Sequence, residues 1–308
     1  MKVLIVDDMH ECILQILAEA GVEVIYKPEI TVNEMIVQLQ EVEGLVVRSK
    51  VFVDEKILSN AYKIKFVARA GAGTDNLDHD YLNSRGIIIL NAPEGNRNAV
   101  GDHALGLMLN LTNNILKSHK EIEKGVWDRE GNRGFELSEL TIGIIGYGNT
   151  GQAVARRLSG FDTRVLAYDK YRNNYGDEFV EEAAFEEICN QADLISFHIP
   201  LTYETKFLIN DDFLDKFKKS IYLINTSRGE IADHETLIKG LKNNKIRGLG
   251  LDVLENEKLN TLSENQKERF DFLINHPNTI ITPHIAGWSK ASYRKISEVI
   301  ARKILSIV

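Results

Sequence analysis

The segment Leu140–Tyr171, LTIGIIGYGNTGQAVARRLSGFDTRVLAYDKY, constrains the fold of this 308-residue chain more than any other stretch. Thr141–Ile145 is a short, β-branched apolar run, the pattern of a strand buried on both faces of a parallel sheet. Gly146, Gly148 and Gly151 follow as G-x-G-x-x-G, and Gln152–Ser159 carries Ala153, Val154, Ala155 and Leu158 at helical spacing. Thr163–Tyr168 reads as a second strand that ends on Asp169. Strand, glycine turn, helix, strand and acid in that order make a complete β-α-β unit, which requires a parallel, helix-covered sheet.

Such a unit binds dinucleotides for stated reasons. The first glycine permits the tight turn, the second lets the backbone approach a pyrophosphate, and the third lets helix and strand pack closely. The helix N-terminus adds N–H groups and a positive dipole. A glycine triplet alone could be an ordinary turn, but the full ordered unit expects a cofactor site at Gly146, Tyr147, Gly148, Asn149, Thr150 and Gly151. Asp169 is placed to accept hydrogen bonds from ribose hydroxyls. It would repel a 2′-phosphate, favouring NAD over NADP, a preference that Lys170 and Arg172 soften.

At this length the chain is expected to form two domains. Its 44% hydrophobic and 27% charged residues are those of an ordinary α/β protein. A formal charge of −8 with no basic cluster argues against a nucleic-acid or anionic-membrane surface, while leaving room for a local pocket for a small anion. Cys12 and Cys189 lie far apart in apolar surroundings, as small core residues of a reducing compartment, and no metal-ligand spacing occurs. The opening MKVLIVDD is a strand rather than a secretory leader, and no apolar run nears the ~20 residues that span a bilayer. A cytoplasmic location follows as the expectation.

Before the dinucleotide unit, strands expected at Lys2–Val6, Val22–Tyr26, Gly44–Val47, Lys65–Arg69 and Ile87–Leu90 alternate with helical patterns, the first at Glu11–Ala20. Glu94–Asn98 reads as a polar loop and Val100–Lys124 as one long helix. After Asp169 the alternation resumes through Asp193–Phe197, Ser220–Asn225 and Arg247–Leu251. The charged stretch Glu255–Glu268 reads as a solvated loop or exposed helix. A last strand, Thr279–Thr282, precedes an amphipathic helix from Ser289. The dinucleotide unit thus sits mid-chain, which expects a discontinuous first lobe, residues 1–95 plus 284–308, and a second domain, residues 96–283. A cleft between them would be the natural substrate site.

Four further stretches carry chemistry. Ala70-Gly71-Ala72-Gly73-Thr74-Asp75-Asn76 is a glycine turn after a strand. Ile224-Asn225-Thr226-Ser227-Arg228-Gly229 puts an arginine at a strand end, where parallel sheets bind ligands. Leu251-Asp252-Val253-Leu254-Glu255-Asn256-Glu257 offers three acids, and Thr282-Pro283-His284-Ile285-Ala286-Gly287-Trp288 a histidine after a strand and a proline. Taken singly, each has a bland reading: a turn, an ion pair, a structural histidine. Together, and in order from about Gly44 to Trp288, they resemble the D-isomer-specific 2-hydroxyacid dehydrogenases, most closely the phosphoglycerate dehydrogenase branch.

That resemblance implies two doubly wound parallel-sheet domains, Rossmann- and flavodoxin-like, with NAD as cofactor. It assigns the substrate carboxylate to backbone N–H groups of Gly71, Ala72 and Gly73. Arg228 becomes the catalytic arginine, whose planar fork can hold both carboxylate and carbonyl. His284 becomes the acid/base. Glu257 becomes its carboxylate partner, chosen over Glu255 by the family spacing from the arginine. Asp252 is placed near the nicotinamide carboxamide, and His198, Pro200, Thr226 and Gly287 join the cofactor site. His198 is read as a wall of the adenosine pocket and not as a catalyst, and His103 as part of the interdomain helix. Arg48, Ser49 and Arg69, with Arg133 from a partner subunit, are candidates for a phosphate pocket. The segment between Glu257 and His284 is longer than the family pattern expects.

The implied chemistry is hydride transfer between nicotinamide and the keto carbon, with protonated His284 supplying a proton to the developing alkoxide. A carboxylate beside an imidazole stabilises its cation. The expected enzyme is an NAD-dependent dehydrogenase of a D-2-hydroxy/2-keto acid, a homodimer acting on 3-phosphoglycerate, with glyoxylate or hydroxypyruvate reduction as the alternative. The chain ends after one C-terminal helix, so no appended regulatory domain is expected. An NAD(H)-sensing, corepressor-like binding protein is the rival from another class, since such relatives can retain the same three residues.

Overall fold

The computed structural model describes residues 1–307 and divides into two compact units, Met1–Arg97 with the chain from Trp288 onward, and Asn98–Gly287. In the first unit, strands β1 (Lys2–Ile5), β2 (Glu23–Tyr26), β3 (Gly44–Val47), β4 (Phe66–Arg69) and β5 (Ile88–Asn91) form a wholly parallel sheet of order β2-β1-β3-β4-β5. The β3 sequence GLVV is buried at every position, as a central strand with both faces covered must be. Gly44 is required there, because a Cβ would fall 2.0 Å from the Phe66 ring of the neighbouring strand.

The C-terminal helix Lys290–Leu305 belongs to this first unit. Its Ile300, Ala301 and Ile304 share one buried cluster with Ile13 and Leu17 of helix Cys12–Glu19 and with Val3, Ile5 and Phe66 of the sheet. Each such aliphatic side chain contributes about 1.5–3 kcal/mol on burial.

The second unit carries β6 (Thr141–Ile145), β7 (Arg164–Tyr168), β8 (Glu181–Glu182), β9 (Leu194–Phe197), β10 (Ile221–Asn225), β11 (Ile246–Leu251) and β12 (Thr279–Ile281). They pair in parallel in the order β12-β11-β10-β9-β6-β7-β8. Two apolar clusters cover the two faces of this sheet, one built on Phe197, Leu223 and Leu249, the other on Ile142, Ile144 and Ile224. Strand order reverses between β6 and β9, and ligands of such sheets bind at that switch point, beyond the strands' C-terminal ends.

Three expectations are corrected. Glu94–Asn98 is not a loop: helix Pro93–Thr112 begins at Pro93, whose fixed φ and missing N–H suit a first helical position. The long helix to Lys124 is interrupted, because Asn114 takes a left-handed conformation (φ 54°) and Leu116 N–H donates to Asn110 Oδ1 at 2.9 Å; helix Ile115–Glu123 then starts afresh. The domain boundaries fall within helix Pro93–Thr112 and after Gly287, so His284 lies in the second unit and not the first. Hydrogen bonds from its loop to Asp252, described below, hold it there. In the charged stretch, helix Glu264–Asn275 is opened by a capping box of Ser263 and Gln266, a signal present in the sequence.

Candidate active site

The switch point is built by residues that immediately follow β6, β7 and β9. Gly146 turns with φ +93°, and a Cβ there would meet His198 O at 2.5 Å, so the turn lies directly on the backbone beyond β9. A Cβ on Gly151 would meet Gly146 O at 2.1 Å, which is the close helix–strand packing expected of a third glycine. Gly148 differs: no atom lies within 4 Å of where its Cβ would stand. It is the N-cap of helix Asn149–Leu158 and supplies no capping side chain to the helix's first N–H groups.

Asp169, one residue past β7, fixes the turn from the side. Its Oδ2 accepts from Tyr147 N–H at 2.9 Å and its Oδ1 from Tyr171 N–H at 3.0 Å, which leaves lone pairs on both oxygens for a further donor. Lys170 and Arg172 are both engaged nearby. Lys170 Nζ pairs with Glu204 at 2.6 Å, and the Arg172 guanidinium donates to Tyr147 O. The Tyr147 side chain points into the core, stacked on Tyr175 with ring centroids 5.0 Å apart, so only its backbone is available to a ligand. Burial, with Asp177 beside it, pushes its phenol up to about 12.

His198 is buried and its Nε2 lies 2.8 Å from Ser196 Oγ; burial pushes its imidazole down to about 3, so it is a neutral wall. Pro200 is exposed in the loop beyond it. Thr226 Oγ1, just past β10, is buried and makes no hydrogen bond. An open cradle at Gly148, an uncapped helix N-terminus, an acid with spare lone pairs and an unsatisfied hydroxyl together fit a dinucleotide.

The remaining candidates follow the next three strands in order. Arg228 lies three residues beyond β10, with Nη1 donating to Ser227 O at 2.7 Å. Glu257 follows β11 and His284 follows β12, and Glu257 Oε2 lies 2.9 Å from His284 Nδ1. Both side chains of this pair remain about half exposed, at 45% and 47%. Glu255, the rival carboxylate, turns away: its Oε1 accepts from His234 N–H at 2.7 Å and its Oε2 lies 3.6 Å from Arg269.

His284 has φ 55°, a conformation costly for a non-glycine residue. Asp252 enforces it. Only 1% exposed, Asp252 accepts from Thr282 Oγ1 at 2.6 Å, Ile285 N–H at 2.9 Å and Ala286 N–H at 2.7 Å, while its carbonyl accepts from His284 N–H at 2.8 Å. The Thr282 hydroxyl spends its proton on Asp252, so His103 Nε2, at 2.9 Å, must donate to it. Asp252 was expected beside a nicotinamide carboxamide; here both of its oxygens organise the histidine loop. Its place after β11 is legible in sequence, but the partners it gathers are not.

In the first unit, Arg48 follows β3 and Arg69 ends β4. Arg48 Nη1 donates to Asp8 O at 3.0 Å, and its guanidinium lies 4.4 Å from the centroid of the Trp288 ring. Ser49 beside it is exposed. Gly71 N–H donates to Arg69 O at 2.9 Å and is used inside the loop, so of the three N–H groups expected to face a carboxylate, Ala72 and Gly73 remain. Gly71 is itself required, since a Cβ would lie 1.7 Å from Arg69 Nη1. Arg133 pairs locally with Glu130 at 2.7 Å, both highly exposed.

A seven-stranded parallel sheet with a glycine cradle at its switch point and an acid–imidazole pair on its C-terminal edge defines a dinucleotide-binding α/β protein of oxidoreductase type. Residues 105–286 match the sequence model described as D-isomer specific 2-hydroxyacid dehydrogenase, NAD binding domain, and the chain belongs to that family. It is 32% identical to the D-3-phosphoglycerate dehydrogenase of Methanocaldococcus jannaschii across 100% of this chain, and spans 57% of that protein's length. It is 33% identical to the glyoxylate reductase of Pyrococcus furiosus over 90% of this chain and 83% of the relative. Among solved structures, the D-lactate dehydrogenase of Aquifex aeolicus complexed with NAD and lactic acid superposes with a TM-score of 0.84 at 26% identity, covering 100% of this chain and 95% of that one. Among the described residues, no helix is long and apolar enough to cross a membrane.

Proposed function

We propose that this chain is an NAD-dependent oxidoreductase that interconverts a D-2-hydroxy acid and its 2-keto acid. The observation that carries the reading is the 2.9 Å hydrogen bond between His284 Nδ1 and Glu257 Oε2 on the same strand edge as Arg228. Gly146 to Gly151, Asp169 and Thr226 would hold the cofactor, and the chemistry it supplies when bound is hydride transfer at the acid's C2. Glu257, holding Nδ1, leaves Nε2 of His284 to give a proton to the nascent alkoxide oxygen, and to take it back in the reverse direction. Arg228 binds the carboxylate and polarises the carbonyl. Asp252 keeps the imidazole in place by holding its loop.

For the substrate we favour 3-phosphoglycerate, with glyoxylate or hydroxypyruvate reduction second. Support comes from the likeness of the whole of this chain to part of the relatives named for the first activity, and from Arg48 and Arg69 beside the Ala70–Asn76 loop as candidate phosphate ligands. The carboxylate falls to Ala72 and Gly73. A homodimer formed through the second unit and a cytoplasmic setting, with Cys12 and Cys189 as free thiols, belong to the same reading.

The test follows NADH absorbance against 3-phosphohydroxypyruvate, hydroxypyruvate, glyoxylate and pyruvate. Turnover on at least one of them is expected, together with loss of turnover and unchanged NADH binding in His284→Ala. NADH binding without turnover on any acid would overturn the reading in favour of a cofactor sensor.

A further inference from the structure

Glu257 reaches His284 from a turn held locally by Asn256, whose Oδ1 accepts from Lys258 N–H at 3.0 Å and whose Nδ2 donates to Thr261 Oγ1 at 3.3 Å. The pair is half exposed, and Glu257 lies in irregular chain between β11 and the 3-10 turn Leu259–Thr261. His284 has Asp252 to fix its loop; the placement of Glu257 depends on the turn Leu254–Glu257. Two contacts seat the start of that turn on its neighbours. On one side it jams against Gly229, where a Cβ would lie 1.9 Å from Leu254 C, immediately beside Arg228. On the other side stands Glu255.

The Glu255 side chain is 13% exposed and makes a closed set of interactions. Its Oε1 accepts from the backbone N–H of His234, at the start of helix His234–Lys242, where a carboxylate also meets the positive end of the helix dipole. Its own backbone N–H reaches His234 Nε2 at 3.4 Å, so the imidazole serves as an acceptor. Burial pushes His234 down and keeps it neutral for that purpose. The cation that balances Glu255 is Arg269, on helix Glu264–Asn275. Arg269 Nε is buried with no hydrogen-bond partner, and its Nη2 lies 3.6 Å from Glu255 Oε2. A small recess lined by Leu254 and Glu255 of the turn and by Gln266, Arg269 and Phe270 of the helix lies between the two. The Arg269–Glu255 pair spans that recess and links the helix to the turn.

We infer that Arg269 is a positioning residue: through Glu255 it clamps the Leu254–Glu257 turn and so sets the reach of Glu257 to His284. The inference rests on the proposed acid/base role of that pair, and it assigns a purpose to the charged segment between Glu257 and His284. Helix Glu264–Asn275 is the arm that brings a cation to the catalytic turn.

The test compares Arg269→Met and Arg269→Lys with the wild type and with Glu257→Gln, using NADH and the 2-keto acid of the panel above that turns over fastest. Arg269→Met is expected to lower kcat between about 10- and 100-fold, as small misplacements of catalytic groups do, while leaving the Kd for NADH close to wild type. Arg269→Lys restores most of the loss. The His284 imidazole ¹⁵N resonances, read without turnover, should move in Arg269→Met toward those of Glu257→Gln. Wild-type kcat and unmoved resonances in Arg269→Met would overturn the inference, as would a loss of kcat matched by an equal loss of NADH affinity. Wild-type kcat in Glu257→Gln would instead overturn the acid/base reading, and the resonances would still decide whether Arg269 sets the pair.

Discussion

Asp252→Asn removes one charge and one acceptor from a residue that is 1% exposed and receives three hydrogen bonds from the Thr282–Ala286 loop. With the amide oxygen at the Oδ1 position, Thr282 and Ile285 keep their acceptor, but the amide NH₂ then faces Ala286 N–H, donor against donor. In the flipped orientation the hydroxyl of Thr282 can rotate to accept, whereas Ile285 N–H cannot. Either way one backbone N–H loses its partner; Ala286 is only 4% exposed, so water does not readily replace it. A hydrogen bond to a charged group contributes about 1.5–3 kcal/mol. Opposing it is the left-handed conformation of His284, which costs about 1–3 kcal/mol and is relieved once the loop lets go. The two terms are of similar size, so the loop leaves its native arrangement and His284 leaves Glu257. For a unit of this size 1 kcal/mol corresponds to about 2–4 °C, so the lost hydrogen bond, less the strain released, lowers Tm by at most roughly 12 °C. The kcat should fall about 100-fold, since a shift of about 1 Å at an acid/base costs that much. Stopped-flow NADH oxidation and calorimetry read the two quantities. A variant within twofold of wild-type kcat would refute the claim that Asp252 holds the histidine loop.

The glycine cradle permits a discriminating pair. Gly148→Ala meets no atom within 4 Å and should keep the wild-type Tm while weakening NADH at least about tenfold, a loss of about 1.4 kcal/mol; Gly151→Ala, with a Cβ 2.1 Å from Gly146 O, should lose stability first. Fluorescence titration and thermal melts separate the two, and unaltered NADH affinity in Gly148→Ala would remove the cradle from the cofactor site. Acid sensitivity follows from His198, whose folded value near 3 lies below its ordinary 6.5. The unfolded chain then binds the extra proton, so stability is unaffected above pH ~6.5 and declines as pH falls toward 3, by roughly 2–3 kcal/mol at pH 4.5. Denaturant melts between pH 7 and 4.5 should show this slope reduced in His198→Asn; an identical slope in the two proteins would contradict it.

Much of this site can be read from residue order, because its parts follow strand ends. Each apolar run that becomes a central strand delivers the next few residues to one edge of the sheet, and Gly146, Asp169, Thr226, Arg228, Asp252, Glu257 and His284 all lie just past such runs. Choosing Glu257 over Glu255 required family spacing, and in the fold the two carboxylates face different partners. The start of helix Pro93–Thr112 is hard to read from sequence, because the polar run Glu94–Asn98 outweighs the signal of a proline at a first helical position. Tyr147 was legible as a loop residue next to a cofactor, but not as a core ring stacked on Tyr175, since that packing joins segments far apart in sequence.

Hydrophobic periodicity and glycine spacing are local properties, and local properties suffice to specify two parallel α/β sheets and a dinucleotide turn. The direction in which a polar side chain spends its hydrogen bonds is not local. Asp252 binds a loop that begins thirty residues later in the chain, and Arg269 meets Glu255 only because a helix folds back upon the turn. Those partners are selected by burial: a charge removed from water must find whichever donors the packed chain brings within about 3 Å, and only the closed fold determines which they are.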